Sequence, residues 1–328
     1  MSSKKLGLAA VTALGAAAFA ALPTGGAVAA STCVPATKVQ AIIDDSGSMA
    51  ITDQNNLRAA GIKLLINKPG NSKLILGASE FGSSAGSVFA PVAIGGAASA
   101  MAQALDAKIL ADNGSTDYNL AFAQGKADNP GADARIFLTD GEHNVGTYNN
   151  GHQGGPKTYV VGFGTSITDP INLARLQQIA AETGGTYTAV ADASGLQSTI
   201  NSIDATLGCK SISETFSDQF NTQGQTVKHS VKIKSTVSTA DFVISWSNPA
   251  DKFDITGVTQ SSGKASVAKK KKVKIKKTVG ATFITVRVSN LKKGKLKFKV
   301  KNTTLTAPTV VTTQVTKNVK KKSKKKKN

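Results

Sequence analysis

Between residues 38 and 207 the apolar positions follow two alternating patterns. Apolar-rich stretches at Lys38–Asp44, Lys73–Phe81, Arg135–Thr139, Thr158–Phe163 and Thr186–Val190 read as strands, the first and Arg135–Thr139 as buried ones. Ser87–Ile94 reads as a short edge strand, because Pro91 lacks the N–H that a central ladder needs. Between the runs, Asn55–Asn67 carries Leu57, Ala60, Gly61, Leu64 and Leu65 at helical spacing and stops at Lys68-Pro69-Gly70-Asn71. Ala97–Leu110, Tyr118–Lys126, Ile171–Thr183 and Ser194–Leu207 read as further helices. Strands that alternate with amphipathic helices predict an α/β fold with a doubly wound, mostly parallel sheet covered on both faces.

After Cys209 the helical period gives way to a period of two. Val227–Lys234 sets Val227, Val231 and Ile233 against Lys228, Lys232 and Lys234, and Lys295–Lys301 sets Leu296, Phe298 and Val300 against four lysines. Phe242–Trp246, Val273–Ile275 and Phe283–Val288 continue the pattern, which predicts an all-β sandwich with lysines on its outer faces. From Lys317 onward, eight of the last twelve residues are lysine, a composition that predicts a disordered tail.

Charge marks the same boundary. Residues 31–209 hold 10 basic and 15 acidic residues, a net of −5, whereas residues 210–328 hold 28 and 5, a net of +23. Upstream, Lys4 and Lys5, an apolar run from Leu6 to Leu22 and small residues at Ala27-Val28-Ala29 describe a secretory signal peptide with cleavage near Ala29 or Ala30. The expected organisation is a signal peptide over 1–30, an α/β domain over 31–209, a basic β-sandwich over 210–304 and a lysine-rich disordered tail over 305–328. Export makes the chain's two cysteines, Cys33 and Cys209, a disulfide that ties the start of the α/β domain to its end. The localisation that follows is extracellular or at the cell surface.

Oxygen donors cluster where the predicted strands end. In AIIDDSGSM the first strand delivers Asp44 to the carboxyl edge of the sheet, and the Ser46-Gly47-Ser48 turn brings two hydroxyls back towards it. Thr116, in Gly114-Ser115-Thr116-Asp117, is placed to open a helix, and Asp140 closes the strand before Gly141-Glu142. Ligands of such sheets bind at the carboxyl ends of the strands. A donor set of hydroxyls and carboxylates suits a hard divalent cation, with zinc or copper expected to recruit His or Cys instead.

The order Asp-x-Ser-x-Ser, then Thr, then Asp resembles the metal-ion-dependent adhesion site of von Willebrand factor type A domains. NLRAA at Asn55–Ala59, TDGE at Thr139–Glu142 and IAAETGGTY at Ile179–Tyr187 extend that resemblance over roughly residues 38 to 207. It implies a Rossmann-like fold, with Ser46, Ser48 and Thr116 offering hydroxyls to the ion and Asp44 and Asp140 beside it, often through water. It also implies one coordination position filled by an Asp or Glu of a protein partner. Mg²⁺ is the first choice of ion, with Ca²⁺ or Mn²⁺ as alternatives. Asp45 and Asp117 add carboxylates nearby that read as solvated loop or helix N-terminal charge. The Gly- and Asn-rich loop from His143 to Lys157 reads either as a shaper of partner choice or as a flexible insertion. In the second half, FVISWSNPADKFDIT and FITVRVSNLKKGKLKFKV loosely resemble the bacterial pre-peptidase C-terminal type of β-sandwich, which carries no site motif across.

The sequence therefore predicts a secreted binding protein that captures an acidic group through a divalent ion. Its lysine-rich half would associate with anionic wall polymer or membrane surface. Few aromatics and almost no Arg in that half argue against sequence-specific nucleic acid. The alternatives are a polyanion-binding scaffold whose metal site is not essential, and a hydrolase. The hydrolase is disfavoured because only His143, His152 and His229 are available and no paired metal-histidine motif accompanies them.

Overall fold

The computed structural model describes residues 33–164, 169–190, 195–261 and 273–319. The signal-peptide segment over 1–30 lies outside the described residues, as does the lysine run from 320 onward. The described residues from 34 onward form one compact unit.

The α/β part runs β1 (Lys38–Asp44), α1 (Met49–Thr52), α2 (Leu57–Asn67), β2 (Ile75–Phe81), β3 (Ala85–Ala93), α3 (Ile94–Lys108), α4 (Tyr118–Asp128), β4 (Ala134–Thr139), β5 (Lys157–Phe163), α5 (Pro170–Glu182), β6 (Thr186–Val190) and α6 (Leu196–Leu207). Its six strands are ordered β3-β2-β1-β4-β5-β6. All neighbours are parallel except the edge strand β3, which returns antiparallel to β2. Both faces are covered, as the continuous apolar strands require. Val39, Ala41 and Ile43 of β1 join the core built with α2, α3 and α6, whereas Ile42 joins Phe122 of α4 and Leu176 of α5 on the other face. The strand order reverses between β1 and β4, so the crevice at their carboxyl ends lies at the topological switch point.

The second part is all antiparallel: β7 (Ile212–Phe220), β8 (Thr226–Ile233), β9 (Val237–Ser245), β10 (Lys252–Ser261), β11 (Lys274–Val279), β12 (Phe283–Ser289), β13 (Gly294–Thr304) and β14 (Thr309–Val319). A five-stranded sheet, β11-β12-β9-β14-β7, packs on a three-stranded sheet, β10-β13-β8, around a core that includes Trp246, Phe242 and Phe298. The other face of the five-stranded sheet sits on the helices of the α/β part. There Leu64 meets Val243 and Phe283, Asn201 donates to Gln314 Oε1 at 2.8 Å, and Gln197 donates to Thr282 Oγ1 at 2.9 Å. The larger sheet is thus a middle layer.

Two sequence readings need correction. The tail expected over 305–328 contains β14, which lies inside the five-stranded sheet between β9 and β7. Its segment TVVTTQVTKNV is rich in β-branched residues, which suit a pleated, half-buried surface. The strands β7 and β10 were not recognised as elements either. Both Cys33 and Cys209 are disulfide-bonded, and no described cysteine is free. Ala36 N donates to Leu207 O at 2.9 Å, tying the start of the α/β part to the end of α6.

Candidate metal site

β1 ends with Asp44 fully buried. Its Oδ1 accepts from Ser46 N at 2.9 Å, and its Oδ2 accepts from Thr139 Oγ1 at 2.6 Å. Ser46 Oγ and Ser48 Oγ lie 3.2 Å apart. Ser48 Oγ donates to Asp140 Oδ1 at 2.9 Å, and Thr52 Oγ1 donates to Asp140 Oδ2. Asp44, Ser46, Ser48 and Asp140 therefore form one continuous polar chain. Thr116 joins it across Gly141, where an added Cβ would lie 3.3 Å from Thr116 Oγ1 and 3.7 Å from Ser48 Oγ. All five predicted residues meet at the switch point.

The loops that carry them are braced by backbone contacts. Gly47 N donates to Gly114 O at 2.8 Å, which docks the first loop on the second. Gly114 has φ +61°, the left-handed region that a glycine enters without steric cost. Asn144 N and Oδ1 bond the Thr116 backbone at 3.1 and 2.9 Å, which docks the third loop on the second. Helix α4 is capped by Asp117, whose Oδ1 accepts from Asn119 N and Leu120 N, so the cap falls one residue after Thr116. The helix N-terminal reading of Asp117 holds.

Asp45 differs from its sequence reading as solvated charge. It is 1% exposed and its Oδ1 accepts from Arg58 Nη2 at 2.8 Å and from Ala111 N at 2.8 Å. Arg58, itself 1% exposed, also reaches Asp53 Oδ2 through Nη1 at 3.1 Å. This buried Asp-Arg-Asp group underlies the first loop. Thr139, Thr52 and Arg58 are the supporting residues that sequence reasoning passed over. Thr139 and Arg58 stood in the TDGE and NLRAA segments, but nothing local in the sequence showed their partners.

Electrostatics define what the site can hold. Burial pushes the Asp44 carboxyl up to about 6, against the opposing hydrogen bonds from Ser46 and Thr139, and the neighbouring charge of Asp140 adds to the rise. Burial likewise raises Asp140, although Thr52 and Ser48 donate to it. No ion pair reaches Asp44 among the described residues. Two adjacent buried carboxyls with three hydroxyls favour a compact positive charge, and an all-oxygen donor set suits a hard divalent cation. Among the described residues no cluster of three or more His, Cys, Asp or Glu could hold a metal.

The loop from His143 to Lys157 is anchored rather than loose. His143 Nδ1 accepts from Tyr118 N at 3.0 Å, and burial lowers the His143 pKa. Fully buried His152 bonds Tyr148 OH at 2.6 Å and Glu182 Oε2 at 2.9 Å. Gly82-Ser83-Ser84-Ala85-Gly86 spells the Gly-x-Ser-x-Gly of a nucleophile elbow. It joins β2 to antiparallel β3 instead of leading into a helix, and Ser84 Oγ bonds Asn113 Oδ1 at 3.1 Å.

No protein-family model matches the chain, and no curated protein matches it. Among solved structures it is similar to a von Willebrand factor type A protein from Catenulispora acidiphila, with TM-score 0.46 and 17% identity over 84% of this chain and 57% of that one. It is similar to proximal thread matrix protein 1 of the mussel byssus, solved with a zinc-occupied metal-ion-dependent adhesion site, with TM-score 0.44 and 17% identity over 54% and 49% of the two chains. It is also similar to the pilus adhesin SpaC of Lactobacillus rhamnosus GG, with TM-score 0.43 and 13% identity over 88% and 45%. The chain spans about half the length of these structures. By its own strand order and the three loops of its site, the α/β part is von Willebrand factor type A-like in fold.

Proposed function

We propose that this chain is a binding protein that holds a divalent cation at Asp44, Ser46, Ser48, Thr116 and Asp140 and uses it to capture an acidic group of a protein partner. The observation that carries this reading is the meeting of those five oxygen-bearing side chains at the carboxyl ends of β1 and β4. Ser46, Ser48 and Thr116 would offer neutral hydroxyls, and Asp44 and Asp140 would supply negative charge. Hydroxyls leave a divalent ion under-neutralised, so a partner's carboxylate gains a charge-assisted contact. When bound, the ion supplies that electrostatic attraction. Mg²⁺ is the proposed occupant, with Ca²⁺ or Mn²⁺ able to replace it.

The same reading makes the protein an exported, non-enzymatic one whose lysine-rich half associates with anionic surfaces. The histidines support a non-enzymatic role, because His143 accepts from backbone, His152 is held by Tyr148 and Glu182, and His229 lies 2.7 Å from Asp218. No described helix is long and apolar enough to cross a membrane.

Calorimetric titration with Mn²⁺ tests the metal site. Saturable binding to the wild type and none to Asp44→Ala, with equal thermal unfolding in EDTA, is the expected result. Equal Mn²⁺ binding by both proteins would refute the assignment. Capture of a surface-extract protein that survives EDTA would refute the metal-dependent mode.

A further inference from the structure

The three-stranded sheet β10-β13-β8 has one face in the sandwich core, and no described element covers the other. Along β13, Leu296, Phe298 and Val300 point inward, while Lys295, Lys297, Lys299 and Lys301 are exposed. On β8, Lys228 and Lys232 are exposed on the same side. The register sets Lys232 directly opposite Lys295 and Lys228 directly opposite Lys299. On the other flank, Ser261, Thr259 and Thr256 stand opposite Lys295, Lys297 and Lys299, and Asp254 stands opposite Lys301. Asp254 is engaged by Lys277 Nζ at 2.7 Å. None of the six lysines makes an ion pair among the described residues. Like charges directly opposite one another destabilise a sheet, so this face carries an electrostatic cost that an anionic ligand would relieve.

From this face we infer a docking surface for a linear phosphodiester polymer, a chain with one phosphate per repeat, lying along β13. The inference rests on the anionic-surface part of the proposed function and adds the face and the partner chemistry. Successive β13 lysines on one face are about 7 Å apart, so the row of four spans about 20 Å. Such a row matches a one-dimensional array of charges. Lysine binds phosphate as a point charge, and the Ser and Thr hydroxyls beside it supply further donors. The face has no outward aromatic ring to stack a base or a sugar and no Arg to grip a base edge. None of the exposed large hydrophobic residues lies on β8, β10 or β13, so a bilayer would find nothing to insert.

The test measures retention on immobilised poly(glycerol phosphate) across a salt series, in EDTA so that the metal site plays no part. The wild type is compared with a face variant, Lys295→Gln with Lys297→Gln, Lys299→Gln and Lys301→Gln, and with a control that replaces Lys324, Lys325, Lys326 and Lys327 by Gln. Each lost phosphate contact lowers the slope of log affinity against log salt by about 0.7, so the face variant should flatten it by about 3. The control should change it less, and the face variant should melt no lower than the wild type because two facing lysine pairs are gone. An unchanged slope in the face variant, or an equal loss in the control, overturns the assignment to this face. Equal retention on poly-L-glutamate or on anionic vesicles overturns the choice of a phosphodiester polymer. Failure of the wild type to bind any of these polyanions overturns the anionic-surface reading itself.

Discussion

Arg58→Met tests whether the first site loop is held by the buried ion group beneath it. The substitution keeps most of the side-chain volume but removes the guanidinium that contacts Asp45 and Asp53, at 2.8 and 3.1 Å. Removing one partner of a buried pair costs roughly 3–5 kcal/mol, because the remaining carboxylates stay buried without their cation. At roughly 2–4 °C per kcal/mol for a unit of this size, thermal unfolding at pH 7 should drop by about 6–20 °C. The pH dependence has a defined sign. Burial already raises the Asp53 carboxyl even with backbone donors from Arg58 and Leu57 and the Arg58 charge in place, and losing that charge raises it further. A carboxyl whose folded pKa lies above its unfolded value favours folding while protonated and loses that advantage as pH rises through the folded value. The deficit of Arg58→Met should therefore be largest at neutral pH and shrink towards pH 4. Adding Asp45→Asn and Asp53→Asn should recover part of the loss at pH 7, because amide oxygens still accept from Ala111 N and Leu57 N. Chemical denaturation at pH 7 and pH 4.5 reads both effects. A loss below 1 kcal/mol at pH 7, or a deficit that does not narrow at low pH, would refute the reasoning.

Thr139→Val removes the 2.6 Å hydroxyl donor to buried Asp44; outer-shell losses of this kind weaken metal affinity by about 10–100-fold, which Mn²⁺ titration would show, and unchanged affinity would deny Thr139 a supporting role. Phe283→Ala opens a cavity where the sandwich meets Leu64 of α2 and should cost about 3–5 kcal/mol; a loss under 1 kcal/mol in urea unfolding would mean that this seam is not tightly packed. At Asp133, burial alone would raise the carboxyl, but donors from Thr37 N, Lys38 N and Thr37 Oγ1 outweigh it and hold the pKa below the usual range. Its stabilising effect is thus present above the unfolded pKa and lost as pH falls through the folded one. The melting-point deficit of Asp133→Asn should accordingly be present at pH 7 and vanish near pH 2, and a pH-independent deficit would contradict that sign.

The proposed ligand set was legible because its oxygen donors lie where strand patterns end. The spacing of Asp44, Ser46 and Ser48 is local, and Thr116 and Asp140 each follow a recognisable turn or strand signal. What supports the set was not legible. Asp45 reads as loop charge because its partner Arg58 lies thirteen residues away across a helix start, and no local period reports such a pairing. Strand β7 was missed for a related reason. Ile212, Glu214, Phe216, Asp218 and Phe220 share one face, and its two carboxylates break the apolar alternation. They are tolerated there because Lys317 of the adjacent strand β14 and His229 of β8 in the facing sheet answer them. In β14 the lysine-rich sequence that follows masked a strand whose hydroxyl-bearing side chains suit a sheet interior facing helices, where Gln314 bonds Asn201 and Ser202 of α6.

These long-range pairings also determine how the two proposed binding surfaces relate. The five-stranded sheet is covered by α2 and α6 on one side and by the three-stranded sheet on the other. The cation site draws on β1, β4 and the loops at their carboxyl ends, whereas the lysine face draws only on β8, β10 and β13. No strand or site loop is shared between them, and a charged group beside each is engaged locally, Asp45 by Arg58 and Asp254 by Lys277. Substitutions at sites so separated are additive to within about 0.5 kcal/mol. Loss of metal-dependent capture and loss of polyanion retention should therefore combine without coupling in a chain carrying both Asp44→Ala and the four β13 substitutions. A cooperative loss would mean that the middle sheet transmits strain between its two faces.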